Sequence, residues 1–279
     1  MFCRLYGVLL IAAFCMPWPG TQAIAGEIRS CYEINNLAAP AKDKSARALY
    51  IFIDTTMPYD NAIKNKVRQL IGNWGRAGDM VKLARFAAGL RGKYPELLFA
   101  ESLDSMPDET YLYNLRRIDK QTLFECFDTQ KTRFLQVLNE RLNTALTEVD
   151  SETPRTELLF ALRELSQQLI LTTDAAVRNV LIVSDGMENS AALSFYKNKK
   201  IGAIDPQRTI AKVRKLGLIA NWKNTNIYMY GIGLMPKDAP YVKAAILETL
   251  RGFWERYFVE GNGLIRGLGA PDLFVTTID

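Results

Sequence analysis

The sequence predicts an α/β fold. The expected form is a Rossmann-like, doubly wound, mostly parallel sheet with one antiparallel edge strand and helices on both faces. Three observations predict it. The apolar runs at 49–53, 180–183 and 227–234 are almost unbroken, as in strands buried on both faces. Between them lie segments whose apolar residues share one helical face. One further pair of strand-like runs is joined by too few residues for a helical crossover, so that pair should be antiparallel.

The elements follow in chain order. Arg4 gives a short basic start, and residues 5–16 form an apolar run too short to span a bilayer. Ala23 and Ala25 have the spacing a signal peptidase reads. Residues 1–25 are therefore expected to be a signal peptide cleaved after Ala25, with Ala23 as the alternative. An uncleaved anchor is the competing reading, and Phe14 disfavours a lipoprotein site at Cys15. Residues 26–46 have no clear period and read as an arm and linker. Residues 47–279 are expected to form one domain, with no later transmembrane segment. The mature protein is expected to be exported, periplasmic or secreted.

The domain opens with a buried strand at 49–53 that ends in Asp54. A helix after Pro58 carries Ile63, Val67, Leu70, Ile71 and Trp74 on one face, with Asp60 as N-cap. Val81, Leu83 and Phe86, then 97–100, give the antiparallel pair, joined through a turn with Gly and Pro. Residues 123–149 are helical, with a stripe of Phe134, Leu135, Leu138, Leu142, Ala145 and Leu146. Pro154 marks a boundary. Thr156 opens a helix through Leu158, Leu159, Leu162, Leu165 and Leu169. The second central strand, in "NVLIVSDG", also ends in an aspartate, Asp185. A helix at 206–216 and a third central strand in "NIYMYGIGL" follow. The last helix holds Val242, Ala245, Ile246, Leu250, Phe253, Trp254 and Tyr257, and "DLFVTTI" is expected to be a final strand.

Composition narrows the chemistry. There is no histidine among the 279 residues, which excludes Ser-His-Asp and Cys-His catalysis and histidine zinc sites. Any metal must be held by oxygen, which points to Mg²⁺, Mn²⁺ or Ca²⁺. Removal of 1–25 leaves only Cys31 and Cys126, most simply paired as a disulfide in an oxidising compartment. Two separately buried thiols are the other reading. The net charge of +5 is mild, and no nucleic-acid partner is expected. The densest basic run, "KNKK" at 197–200, reads as a solvated loop.

In sheets of this kind ligands gather beyond the carboxyl ends of the strands. The stretches "YIFIDTT", "TPRTELLFAL", "VLIVSDGMEN" and "IYMYGIGL" occur, with the strand pair, in an order that resembles von Willebrand factor type A (VWA) domains. The resemblance covers roughly 47–279. It implies a metal-ion-dependent adhesion site, usually holding Mg²⁺ or Mn²⁺, with a partner carboxylate often completing the coordination. Carried over, Asp54 matches the first aspartate of the Asp-x-Ser-x-Ser loop. Thr56 stands where the first serine would be, Thr156 matches the second-loop threonine, and Asp185 the later aspartate. Pro58 replaces the second serine and removes one hydroxyl, so the site is degenerate. The competing reading makes Asp54, Thr56, Thr156 and Asp185 helix caps and loop anchors.

The expected function is that of a protein-binding module, with a divalent ion at the strand ends, acting in adhesion, envelope assembly or a secretion or transfer machine. The protein partner is unnamed by the sequence. One rival is a metal-dependent phosphoryl or ester hydrolase, although Thr56 stands where a haloacid-dehalogenase-type phosphatase needs a second aspartate, and there is no G-x-S-x-G. The other is a structural subunit with a dead metal site.

Overall fold

The computed structural model describes residues 26–40, 45–87, 95–149, 156–197, 200–234, 242–269, 273 and 275–279. The expected signal peptide, the turn between the antiparallel strands and Pro154 lie outside them.

In chain order the elements are α1 (Cys31–Ile34), β1 (Ser45–Asp54), α2 (Asn61–Leu70), β2 (Asp79–Phe86), β3 (Glu96–Ser102), α3 (Glu109–Tyr113) and α4 (Arg117–Thr147). Then come α5 (Leu158–Leu165), which continues as a π-helical turn (Ser166–Ile170), β4 (Ala175–Val183), β5 (Tyr196–Lys197) and β6 (Lys200–Ile201). The remainder is α6 (Pro206–Lys215), β7 (Asn226–Tyr230), α7 (Ala244–Glu260) and β8 (Leu264–Leu268).

Among the described residues six strands make one sheet in the order β3-β2-β1-β4-β7-β8. All neighbours are parallel except β2 and β3, which pair antiparallel at the edge. This is the Rossmann-like α/β class. The unbroken apolar runs are explained by burial on both faces. Along β1, Ala48, Tyr50 and Phe52 face the core under α5, α6 and α7, whereas Leu49, Ile51 and Ile53 face the core under α2 and α4. The two-residue period of a strand divides β4 the same way, with Val180 and Ile182 opposite Leu181 and Val183.

The topology places the site. From β1 the chain first moves to β2 and β3 on one side. It then returns along α4 and enters the sheet at β4, on the other side of β1. The order reverses between β1 and β4, and the loops leaving these two strands diverge there. Such a switch point opens a crevice at the strands' carboxyl ends. Asp54 closes β1, and Asp185 lies two residues beyond β4.

The N-terminal arm is more than a linker. Ser30 caps α1, and Asp104 accepts hydrogen bonds from the Ser30 hydroxyl (3.1 Å) and the Cys31 N–H (2.6 Å). Cys31 is bonded to Cys126 on α4, with Cα atoms 5.7 Å apart across 95 residues of sequence. Around the disulfide, Tyr32, Leu123 and Phe127 form a third small apolar cluster.

Other elements depart from expectation. Among the described residues the final strand is β8, formed by the segment "LIRGL", and the described residues of "DLFVTTI" are in no strand. Edge position explains why it was overlooked: β8 is only half-buried and lacks the continuous apolar run of a central strand. Leu273 and Val275 stand beside Gly267 of β8, and the end of the tail lies against the end of α2. Ile278 donates its N–H to the Leu70 carbonyl (2.8 Å), and its own carbonyl accepts from Trp74 Nε1 (3.0 Å). Lys197 and Lys200, the ends of the basic run, pair in a small antiparallel hairpin, β5–β6, and the two residues between them lie outside the described ones. Helix α4 begins at Arg117 rather than at Leu123, and Leu123 and Phe127 of its first half pack on the arm.

Candidate functional site

Hydrogen bonds join Asp54, Thr56 and Thr156, and the charge of Asp54 reaches Asp185. Asp54 is fully buried, as expected of a residue that ends the central strand. Its Oδ1 accepts from the Thr56 hydroxyl (2.7 Å) and the Thr56 N–H (3.0 Å), forming a tight turn after the strand. Thr55, between them, points elsewhere and bonds the Phe86 carbonyl (3.0 Å), which extends the β1–β2 pairing. The Thr156 hydroxyl donates to the Thr56 hydroxyl at 3.2 Å, which joins the loop before α5 to the loop after β1. Thr156 therefore does not cap α5: the N-cap position is Glu157, and it makes no side-chain capping bond.

Asp185 sits on the third loop. Its Oδ1 accepts the Met187 N–H (2.9 Å), and its carbonyl accepts the Gly233 N–H (2.8 Å) from the loop after β7. The Asn189 N–H donates to the Thr156 carbonyl (2.8 Å), so the β4 loop also supports the threonine loop. Gly186 has φ +73°, and a Cβ there would come within 2.7 Å of Trp254 Nε1, which donates to the Gly186 carbonyl. Only glycine fits that turn.

The electrostatics follow from two carboxylates in a confined space. Burial raises the Asp54 carboxyl above its ordinary value, against hydrogen bonds from Thr56 and Ser184 that lower it. Burial, and then the charge of Asp54, push Asp185 up to about 8. The site thus disfavours negative charge on its own. Its oxygen donors are two carboxylates and two hydroxyls, a set that suits a hard cation. The hydroxyl separation of 3.2 Å is near the edge of a Mg²⁺ octahedron, about 2.8–3.0 Å for bonds of about 2.0–2.1 Å. Pro58 is exposed and offers no hydroxyl. Among the described residues no group of three or more His, Cys, Asp or Glu side chains converges, so the carboxylates alone do not make such a set.

Several contributors stand outside the four residues that the sequence singles out. Ser184 donates from its hydroxyl to Asp54 Oδ2 (2.8 Å) and accepts the Gly186 N–H (3.0 Å). Its signal was a hydroxyl at the end of an apolar run, one residue before the aspartate. The Tyr59 hydroxyl bridges the ends of both central strands, 2.6 Å from the Asp54 carbonyl and 2.9 Å from the Val183 carbonyl. Glu188 is buried and accepts the Leu159 N–H (2.9 Å) at the start of α5, and burial pushes its carboxyl up to about 7. Tyr196, on the β5–β6 hairpin, feels both aspartates: burial first, then Asp185 and Asp54, push its phenol up to about 12. Tyr59 and Tyr196 have no sequence neighbour that announces their role.

No family model matches the chain, and no curated protein matches it. Among solved structures, the pilus adhesin SpaC from Lactobacillus rhamnosus GG, in its open conformation, is similar with 12% identity and a TM-score of 0.39. The match covers 78% of this chain and 27% of the adhesin, so the chain spans about a quarter of that protein's length. Likeness at this level bears on neither family nor function.

Proposed function

We propose that the chain is an exported, VWA-like protein-binding module whose partner docks where β1 and β4 end. In this reading Asp54, Thr56, Thr156 and Asp185 hold a Mg²⁺ or Mn²⁺ ion. The observation that carries the reading is the contact between the Thr56 and Thr156 hydroxyls beside Asp54. Two loops bring hydroxyls together beside Asp54, and Asp185 on a third loop feels the charge of Asp54, at the topological switch of the sheet, where a ligand site is expected. The ion would supply positive charge to two carboxylates that otherwise repel, and it would present open positions to a partner's oxygen. Water replaces the donor that Pro58 lacks, since Mg²⁺ keeps waters readily.

Export is supported by the Cys31–Cys126 disulfide, which is at home in an oxidising compartment. It is also compatible with the finding that no helix among the described residues is long and apolar enough to cross a membrane. The test is capture of partners from the exported fraction with and without EDTA. Wild-type chain should retain a protein in Mn²⁺ that Asp54→Asn does not. Equal capture in EDTA would sink the ion-dependent form.

One observation favours a second reading. Both oxygens of Asp54 already accept hydrogen bonds, from Thr56 and from Ser184. A carboxylate so held can serve as a strut between three loops in a scaffold that binds without an ion. Indifference of folding and of partner capture to chelators identifies that case.

A further inference from the structure

We propose that hydrolysis of the Ala25–Gly26 bond by a signal-type peptidase creates a group that the fold binds: the new α-ammonium of Gly26 pairs with the Glu101 carboxylate on β3. Water is consumed, the new carboxylate leaves on Ala25, and the amine, protonated near neutral pH, stays on Gly26. The inference rests on the expectation of export and is independent of the ion site.

Glu101 has the features of a receptor for such a group. It is 9% exposed, next to last on the edge strand β3. Its Oε1 accepts the Glu27 N–H at 2.8 Å, and the Ile28 N–H also donates to the carboxylate. The arm is therefore threaded past this carboxylate one residue from the expected cleavage point. The arginines facing the same stretch are engaged elsewhere. Arg141 pairs with Glu27, and Arg133 reaches Glu27 at 3.9 Å. Among the described residues no lysine or arginine pairs with Glu101. Burial, and the neighbouring charge of Glu27, raise its carboxyl above the ordinary value against the hydrogen bonds from the arm.

Gly26 supplies the geometry. A Cβ built on it would lie 3.5 Å from Glu101 Oε2 and 3.9 Å from Oε1. The amine nitrogen and a Cβ are both tetrahedral substituents of the same Cα. With nothing before residue 26, rotation about the Cα–C bond by one tetrahedral substituent position carries the nitrogen to the Cβ position. That is within the 4 Å reach of an ion pair. While Ala25 is attached, the same nitrogen is an uncharged amide, and its rotation must carry the leader with it.

The first measurement is N-terminal sequencing of exported protein, expected to begin at Gly26. The second compares chains starting at Gly26 with a free or an acetylated amine, each as wild type and as Glu101→Gln. Glutamine keeps a carbonyl acceptor for the arm amides and removes the charge. Glu101→Gln should lower the melting temperature of the free-amine chain by about 2–4 °C more than that of the acetylated chain. Should Glu101→Gln fail to fold, the wild type decides by NMR titration of the Gly26 amine, whose pKa should exceed the usual value of about 7.7–8.0. A start other than Gly26, equal shifts in the two chains, or an unshifted amine overturns the proposal.

Discussion

Thr56 and Thr156 stand 100 residues apart in sequence, yet their hydroxyls lie 3.2 Å apart. One belongs to the turn after the central strand, the other to the loop before α5. The contact joins these two loops beside Asp54. Its chemistry yields the first two predictions.

Wild-type protein should melt higher in millimolar Mn²⁺ or Mg²⁺ than in EDTA. A site filled to a hundred times its dissociation constant gains roughly 2.7 kcal/mol. Asp54→Asn should melt at or above the wild type in EDTA, because it relieves repulsion with Asp185, and should show no rise with metal. Pro58→Ser restores a hydroxyl and should enlarge the rise. Thermal melts of the three proteins in both buffers decide this, and the absence of any metal-dependent shift in wild type and in Pro58→Ser would leave Asp54 a strut.

Substitution at Thr156 separates donor from shape. Thr156→Ser keeps the hydroxyl and should keep the metal-linked rise. Thr156→Val is close in size and lacks the donor. It should lose the rise while costing about 0.5–1.5 kcal/mol in EDTA, the worth of an ordinary hydrogen bond. A Val variant that still responds to Mn²⁺ would remove Thr156 from the site.

The acid groups make stability depend on pH. Asp185 rises from 3.8 to about 8 and Glu188 from 4.5 to about 7. A carboxyl raised by folding binds its proton more tightly in the native state. Its contribution is therefore complete below the unfolded value and is lost as pH climbs through the folded one. In EDTA the melting temperature should fall between pH 5 and pH 8. Mn²⁺ should flatten that fall, since an ion prefers ionised ligands. Glu188→Gln should show a shallower slope and melt no lower than wild type at pH 8. Parallel slopes for the two proteins would mean that Glu188 is not strained by its burial.

The arm should depend on its covalent tie. The disulfide closes 95 residues, for which chain entropy allows up to about 4.7 kcal/mol. Replacing Cys31 and Cys126 together by Ser should cost a large part of this in urea unfolding. Protease should then cut first within 26–40, because the cluster of Tyr32, Leu123 and Phe127 is small and separate from the main cores. Unchanged stability in the double variant would show that the bond is ornamental.

Gly186→Ala should destabilise the fold by about 1–3 kcal/mol. Its φ is +73°, and the added methyl would press on Trp254 Nε1 at 2.7 Å. Measured by denaturant unfolding, a cost below a few tenths of a kcal/mol would mean that the turn re-forms without strain.

Much of this molecule is local chemistry, and local chemistry is legible along a chain. Unbroken apolar runs at β1, β4 and β7 can only be satisfied by burial on two faces, so the parallel sheet and its helical cover follow from the residues themselves. The same holds for the α2 stripe with its Asp60 cap, whose carboxylate accepts the Ile63 N–H at 2.9 Å, and for the two aspartates at strand ends. With two cysteines left beyond the expected leader, their pairing was legible too. What the sequence did not determine depends on contacts between distant segments. The edge strand β8 pairs through its backbone, which carries no residue code. The tail docks on α2 through Ile278, which a strand pattern cannot distinguish from a sheet position. Ser184 meets Asp54 because β4 happens to lie beside β1 in register, Ile53 opposite Val183. Glu188 reaches the start of α5 only across a folded loop. Hydrophobic period is written in each segment, whereas the partner of a polar side chain is fixed only once strand order and register have brought the two together.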